Sequence, residues 1–155
     1  MDTDQDRFHT RKHPRMAHYD YATPNYYFVT ICTNNKRCIF GTLYRNNVYG
    51  DMAETGLQEI PNHFDKVHIN KYIIMPNHIH AIVVLENGAK ELPVIIGQYK
   101  AYVTRKIHEI DPDLEVWQTS FHDHVIRNQS SYERIWNYID GNRQKWQEDC
   151  YFAEE

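Results

Sequence analysis

The sequence predicts an α+β fold, an antiparallel β-sheet with helices packed on one of its faces. The main observation is the order of its segments. Runs rich in β-branched and aromatic residues alternate with amphipathic runs as strand, helix, strand, strand, helix, strand, helix. Only Pro76-Asn77 separates the two middle strands, which is short enough for an antiparallel hairpin or a kink. No linker, repeat or low-complexity block divides residues 1–155, so we expect a single domain.

The strands are predicted from their side chains. Residues 26–33 are dense in aromatic and β-branched residues, which makes them a strong first strand. Residues 67–75 and 78–85 form the second and third strands on either side of the short connection. Residues 116–118 and 121–126 form a fourth strand region, which we expect to run antiparallel to its neighbours.

Three helices follow from apolar residues at helical spacing. The first covers residues 52–64, although Pro61 predicts a break or an early end. The second covers residues 94–110 and has a basic outer face. The third runs from residue 132 to about residue 147, and a serine at position 130 or 131 is expected to cap its first turn.

Composition is that of a soluble globular protein, with 41% apolar and 25% charged residues. No apolar run approaches the ~20 residues that span a bilayer, so we expect no membrane partner. The first residues are acidic and polar, unlike a secretory signal. Cys32, Cys38 and Cys150 lack Cys-x-x-Cys spacing, which indicates reduced thiols and a cytoplasmic location.

The net charge of −4 neither favours nor excludes nucleic acid, because the charge is unevenly distributed. Residues 148–155 form an acidic tail, and without it the formal charge is zero. Residues 1–21 are polar and basic, and indicate either an extended arm or a frayed terminus. Basic residues that could meet phosphates, or could be ordinary surface charges, are Arg11, Lys12, Arg15, Lys100 and Arg127.

His78-Ile79-His80 is the first candidate site. Side chains at i and i+2 of a strand share a face, so the two imidazoles are predicted to lie side by side while Ile79 points into the core. Two adjacent imidazoles are half of a divalent metal site. A bare His-x-His is also compatible with two polar residues on a half-exposed strand.

The last helix supplies a candidate nucleophile and a candidate third ligand. Tyr138 lies at the edge of the apolar stripe, and Asn142 follows at i+4, one turn along. A tyrosine hydroxyl with a pKa near 10 is a poor nucleophile unless a cation neutralises the charge of the attacked phosphate. A tyrosine with a neighbouring amide is weak support alone, since the chain has 12 tyrosines.

The histidine pair and the last helix, together with other stretches of the chain, resemble HUH endonucleases. More specifically, they resemble the single-tyrosine transposases and their relatives, the REP-associated tyrosine transposases. The resemblance covers nearly the whole chain in the family's order. The stretches that carry it are Tyr19-Asp20-Tyr21, Tyr27-Phe28-Val29-Thr30-Ile31-Cys32, Asn77-His78-Ile79-His80 after Ile73-Ile74-Met75-Pro76, Ile96-Gly97-Gln98-Tyr99-Lys100, Trp117-Gln118, Phe121, His124, Ile126-Arg127-Asn128, and Tyr138-Ile139 with Asn142.

The resemblance implies a single HUH-type domain over residues 1–155 with a ferredoxin-like fold. It implies that His78 and His80 bind Mg²⁺ or Mn²⁺, that Asn142 completes or supports the metal site, and that Tyr138 is the nucleophile. The implied substrate is single-stranded DNA with a hairpin, cleaved to a 5′-phosphotyrosine and a free 3′-hydroxyl. Relatives act as monomers or as homodimers, so both states stay open.

One residue departs from the family pattern. Relatives usually have Asn-Pro where this chain has Asn142-Arg143. We expect Arg143 to let the helix continue and to add a contact to a DNA phosphate. The main rival is a DNA- or RNA-binding module on the same ferredoxin-like sheet that does not cleave, in which Tyr26, Tyr27 and Phe28 would stack on bases.

Overall fold

The structure is a computed structural model, and it describes residues 25–148, 151 and 153. The described chain forms a four-stranded sheet, a separate two-stranded hairpin and three α-helices. The strands are β1 (Asn25–Cys32), β2 (Gly41–Thr42), β3 (Arg45–Asn46), β4 (Val67–Met75), β5 (His78–Leu85) and β6 (His122–Ile126), and the helices are α1 (Val48–His63), α2 (Leu92–His108) and α3 (Gln129–Asp140).

The large sheet has the strand order β4-β5-β1-β6, and every neighbouring pair is antiparallel. With α1 between β1 and β4, and α2 between β5 and β6, this is the ferredoxin-like arrangement. The predicted α+β class and antiparallel sheet are confirmed. The fourth strand is shorter than predicted, because Trp117 makes only an isolated bridge with Thr33 before β6 begins at His122.

The helices cover both faces of the sheet. Every residue of β5 is buried, and successive side chains belong to different apolar clusters. Ile79 and Val83 pack with α1 and α2, whereas Ile82 and Val84 pack with α3. Our expectation of helices on one face therefore holds for α1 and α2 and not for α3. The reason is that a strand with apolar residues on both faces requires cover on both.

The first helix begins earlier than predicted. The Asn47 side chain accepts a hydrogen bond from the Gly50 N–H at 3.0 Å and caps α1 before Val48. The helix passes through Pro61 and ends at His63, so the expected break does not occur. Pro61 lies in the last turn, where a missing N–H removes one hydrogen bond near an end that frays in any case.

The last helix ends earlier than predicted, and Asn128 rather than a serine caps its start. The Asn128 side chain accepts from the Ser131 N–H at 2.8 Å. Helix α3 ends at Asp140, and a separate 3₁₀ segment follows at Arg143–Glu148. Arg143 therefore does not continue the helix. Its guanidinium donates to the carbonyls of Leu43 and Ile74, at 2.8 and 3.3 Å, which are tertiary contacts.

Two predicted segments fall largely outside the described residues. The arm at residues 1–21, with Arg11, Lys12 and Arg15, lies outside them entirely. Of the acidic tail at residues 148–155, only Tyr151, Ala153 and the backbone of residue 148 are described. Among residues 25–148, 151 and 153, no helix combines the length and the apolar character that crossing a membrane requires.

Candidate active site

His78 and His80 lie side by side on β5, on the face of the sheet that α3 covers. Their ring centroids are 4.5 Å apart, as the alternation of side chains along a strand predicts. The rings are 0% and 1% exposed, so they are buried rather than half-exposed. Buried polar groups need partners, and the surroundings of the two rings supply them.

Each imidazole is held through its Nδ1 atom. His78 Nδ1 lies 2.7 Å from the side-chain oxygen of Asn77, and His80 Nδ1 lies 2.8 Å from the hydroxyl of Thr30. Thr30 is the residue of β1 paired directly with His80. With Nδ1 engaged on each ring, Nε2 is the nitrogen that would bind an ion, the usual arrangement of histidine ligands.

The burial of His80 decides its charge. Removal from water, and then the positive charge that His78 would carry, lower the pKa of His80 well below 6.5. His80 is therefore neutral at neutral pH. A neutral imidazole is the form that binds a metal ion, because the ligand nitrogen must carry a lone pair.

Helix α3 brings Tyr138 to the same place. The Tyr138 hydroxyl lies 3.5 Å from His80 Nε2, longer than the usual hydrogen bond. The Tyr138 ring meets the His80 ring edge-on, with centroids 5.2 Å apart, and packs against Phe28 at 6.0 Å. Tyr138 and His80 are 58 residues apart in sequence and in contact in the fold.

Polar contacts between α3 and β4 hold the tyrosine helix over the sheet. The Lys71 ammonium lies 2.9 Å from Asp140 and 4.6 Å from the centre of the Trp136 ring. The Asn70 amide donates to the Tyr132 hydroxyl at 3.2 Å. Ile139, next to Tyr138, is fully buried, so apolar packing provides the main attachment and the polar contacts add to it.

Asn142 is buried at 2% exposure but does not lie on the helix at i+4 from Tyr138 as predicted. It follows the end of α3 in a turn where its N–H donates to Ile139. In sequence it lies between Tyr138 and Trp146, which both contact the histidine rings. Asn142 Oδ1 and His78 Nε2 are buried atoms that form no hydrogen bond among the described residues, although both side chains have other contacts.

Three residues that line the histidines were missed at the sequence level. Trp146 stacks on His78 with centroids 6.0 Å apart and planes at 25°. The Tyr151 ring lies against both imidazoles, at 4.7 Å from His78 and 5.7 Å from His80. The sequence shows Trp146 only as an apolar residue, and the contact of Thr30 depends on a strand register that the sequence does not reveal.

The predicted phosphate-binding residues have different surroundings. The Lys100 ammonium donates to the carbonyls of Gln118 and Ser120, and burial lowers its pKa. Arg143 is engaged with backbone carbonyls as described above. Arg127 is exposed just after β6. A role in binding DNA stays a prediction for all three.

A metal ion at this site would have few protein ligands. Within the described part of the chain, no group of three or more His, Cys, Asp or Glu side chains could hold an ion. The ligand set expected from the sequence, the two imidazoles and the amide oxygen of Asn142, stays a prediction. Such a set fits a divalent ion that keeps positions open for water and a phosphate oxygen.

Most of the chain matches one family of known sequences. Residues 25–142 match the sequence model of the family described as "Transposase IS200 like". An uncharacterized protein of Haemophilus influenzae Rd is 31% identical over 171 aligned residues, which cover 94% of this chain and 95% of that protein.

Two solved structures share the fold. One is a REP-associated tyrosine transposase bound to a REP hairpin, with a TM-score of 0.64 and 23% identity over 84% of this chain and 74% of that one. The other is a provisionally assigned transposase from Deinococcus radiodurans R1, with a TM-score of 0.57 and 14% identity over 90% of this chain and 99% of that one. At these identities the likeness is one of fold.

Proposed function

The chain belongs to the IS200-like transposase family, and from this premise we propose that it is a metal-dependent transposase that cleaves single-stranded DNA beside a hairpin, with Tyr138 as nucleophile. The observation that carries the proposal is the 3.5 Å approach of the Tyr138 hydroxyl to His80 Nε2. A phosphate held at the histidine pair would lie within reach of that hydroxyl, which is what in-line attack requires.

The proposed metal site consists of His78, His80 and Asn142. The burial and neutral charge of His80 and the short separation of the two rings support it. Mg²⁺ or Mn²⁺ bound there would withdraw charge from a non-bridging phosphate oxygen and so favour attack by a weak nucleophile.

Tyr138 carries out the bond exchange in this proposal. Its oxygen forms a bond to phosphorus while the bond from phosphorus to the 3′ oxygen of the preceding nucleotide breaks. The phenolic proton passes to water, and the departing 3′ oxygen takes up a proton to become a hydroxyl. The product is a 5′-phosphotyrosine, which keeps the phosphodiester bond energy for a later joining step.

The rival proposal, a binding module without cleavage, depends on exposed aromatic residues. Tyr26 is 3% exposed and packs edge-on against Tyr132, and Phe28 packs against His80 and Tyr138. Stacking on bases requires an accessible ring face. Tyr26 therefore has no accessible ring face, and Tyr27 and Phe28 are half-buried, which favours the cleaving site over a stacking surface.

A covalent-adduct assay tests the proposal. The full chain is incubated with a labelled single-stranded DNA hairpin and Mn²⁺, and a protein–DNA adduct that survives denaturation is expected. Tyr138→Phe should abolish the adduct, whereas Tyr44→Phe, at a residue that is 72% exposed, should not change it. Absence of the adduct with the wild-type chain, or an equal yield with Tyr138→Phe, would overturn the proposal.

A further inference from the structure

Asn77 is a buried residue beside the histidine pair for which the proposed reaction has no role yet. It lies in the turn between β4 and β5 and is 1% exposed. Its side-chain nitrogen donates to two backbone carbonyls, that of Lys36 at 3.2 Å and that of Tyr151 at 2.7 Å. Its side-chain oxygen lies 2.7 Å from His78 Nδ1.

These contacts determine where the proton of His78 lies. A carbonyl oxygen can only accept a hydrogen bond, so the Asn77 nitrogen must face the two carbonyls. The Asn77 oxygen then faces His78, and because that oxygen can only accept as well, His78 Nδ1 must carry the hydrogen. A neutral imidazole with its hydrogen on Nδ1 has its lone pair on Nε2.

We propose that Asn77 is a positioning residue that fixes His78 in the Nδ1–H tautomer and so presents the Nε2 lone pair to a divalent ion. This inference rests on the proposed metal site for its consequence, although the tautomer itself is a property of the metal-free protein. Outer partners of this kind orient a ligand ring and raise its basicity.

The backbone of Asn77 is also held by hydrogen bonds. Its backbone carbonyl accepts from the Thr33 N–H and from the Thr33 hydroxyl, both at 3.0 Å. Rotating the side chain to exchange its nitrogen and oxygen would place an oxygen against the carbonyls of Lys36 and Tyr151. The amide therefore has one satisfied orientation, and His78 has one tautomer.

His80 provides an internal comparison. Its Nδ1 partner is the hydroxyl of Thr30, which can either donate or accept a hydrogen bond. Thr30 thus leaves both tautomers of His80 available, whereas Asn77 leaves one for His78. We therefore expect a single tautomer for His78, whereas both tautomers are available to His80. One spectrum of the protein reports both residues.

The first test is the tautomer of His78 in the metal-free full-length chain, measured by long-range ¹H–¹⁵N correlation spectra of the imidazole groups at neutral pH. We expect hydrogen on Nδ1 in the wild type. Asn77→Ala should move His78 toward the Nε2–H form, because it removes the acceptor that faces Nδ1. Thr30→Val serves as the matched variant and should leave His78 unchanged.

The second test is Mn²⁺ affinity, measured by calorimetry. We expect Asn77→Ala to weaken binding by about 10–100-fold, the range seen when a partner of a ligand histidine is removed. Asn62→Ala, at an exposed asparagine, should not change it.

The outcomes separate this inference from the proposed function. Hydrogen on Nε2 of His78 in the wild type, or an unchanged tautomer in Asn77→Ala, would overturn the role of Asn77. If Asn77→Ala does not fold, the wild-type spectrum alone decides. An Nδ1–H tautomer in a chain that binds no Mn²⁺ would support the tautomer assignment and overturn the metal site of the proposed function.

Discussion

The contact between Lys71 and helix α3 gives a prediction whose size follows from the structure. Lys71→Met keeps most of the aliphatic chain and removes the charge that pairs with Asp140 and lies over Trp136. The ion pair is partly exposed, at 23% and 31% of the two side chains, so we expect it to contribute about 0.5–1 kcal/mol. The cation–π contact at 4.6 Å adds about 0.5–1 kcal/mol.

The two contributions can be separated by comparing variants. Lys71→Met loses both, so its free energy of unfolding should fall by about 1–2 kcal/mol. Asp140→Asn loses the ion pair and keeps the cation–π contact, so its free energy of unfolding should fall by about half as much. The measurement is urea denaturation of both single variants and the double variant, with the coupling energy taken from the cycle.

Lys106→Met is the matched control for Lys71→Met. The Lys106 ammonium lies 5.8 Å from the centre of the Tyr102 ring at an exposed position, near the limit for such a contact, so we expect its loss to cost about 0.5 kcal/mol or less, below the loss for Lys71→Met. A coupling energy of zero between Lys71 and Asp140, or equal losses for Lys71→Met and Lys106→Met, would show that the contacts of Lys71 do not stabilise the fold.

Three further predictions concern the site itself. The pKa of His80 is lower in the folded chain than in the unfolded chain. As the pH falls, the unfolded chain therefore takes up this proton first, and the free energy of unfolding should fall below about pH 6.5. The contribution of His80 is at most about 1.4 kcal/mol per pH unit. Urea titrations at several pH values should show a flatter dependence for His80→Gln, and equal slopes would contradict the argument. Tyr151→Ala uncovers the imidazoles and should speed Mn²⁺ association in stopped-flow measurements, while an unchanged rate would show that the ring is no barrier. If Tyr138 acts on the histidines of its own chain, mixing Tyr138→Phe with His78→Ala should give no DNA adduct, and restored adduct formation would show exchange between chains.

The sequence predicted those features of the site that depend on local geometry. The adjacency of His78 and His80 follows from the period of a strand, and the apolar residues around them predicted the strand itself. Tyr138 could be selected because the family resemblance gave it a role. The contact of Tyr138 with His80 is a tertiary fact that periodicity alone does not reveal.

The features that were missed depend on contacts between distant segments. Helix α3 ends at Asp140 while Arg143 binds the carbonyls of Leu43 and Ile74, and neither partner can be inferred from the helix sequence. Thr30 contacts His80 because the register of β1 and β5 places the two residues opposite each other. The packing of α3 on the second face of the sheet could not be predicted either, because an apolar strand does not show which helix packs on which side.

The residue that carries the DNA in the covalent adduct identifies the nucleophile. The adduct formed with a hairpin oligonucleotide and Mn²⁺ is digested with nuclease and protease, and the modified peptide is sequenced by tandem mass spectrometry. We expect a nucleotide joined through its 5′ phosphate to Tyr138. A nucleotide on another residue, or one joined through its 3′ phosphate, would rule out Tyr138 as the nucleophile of the proposed reaction.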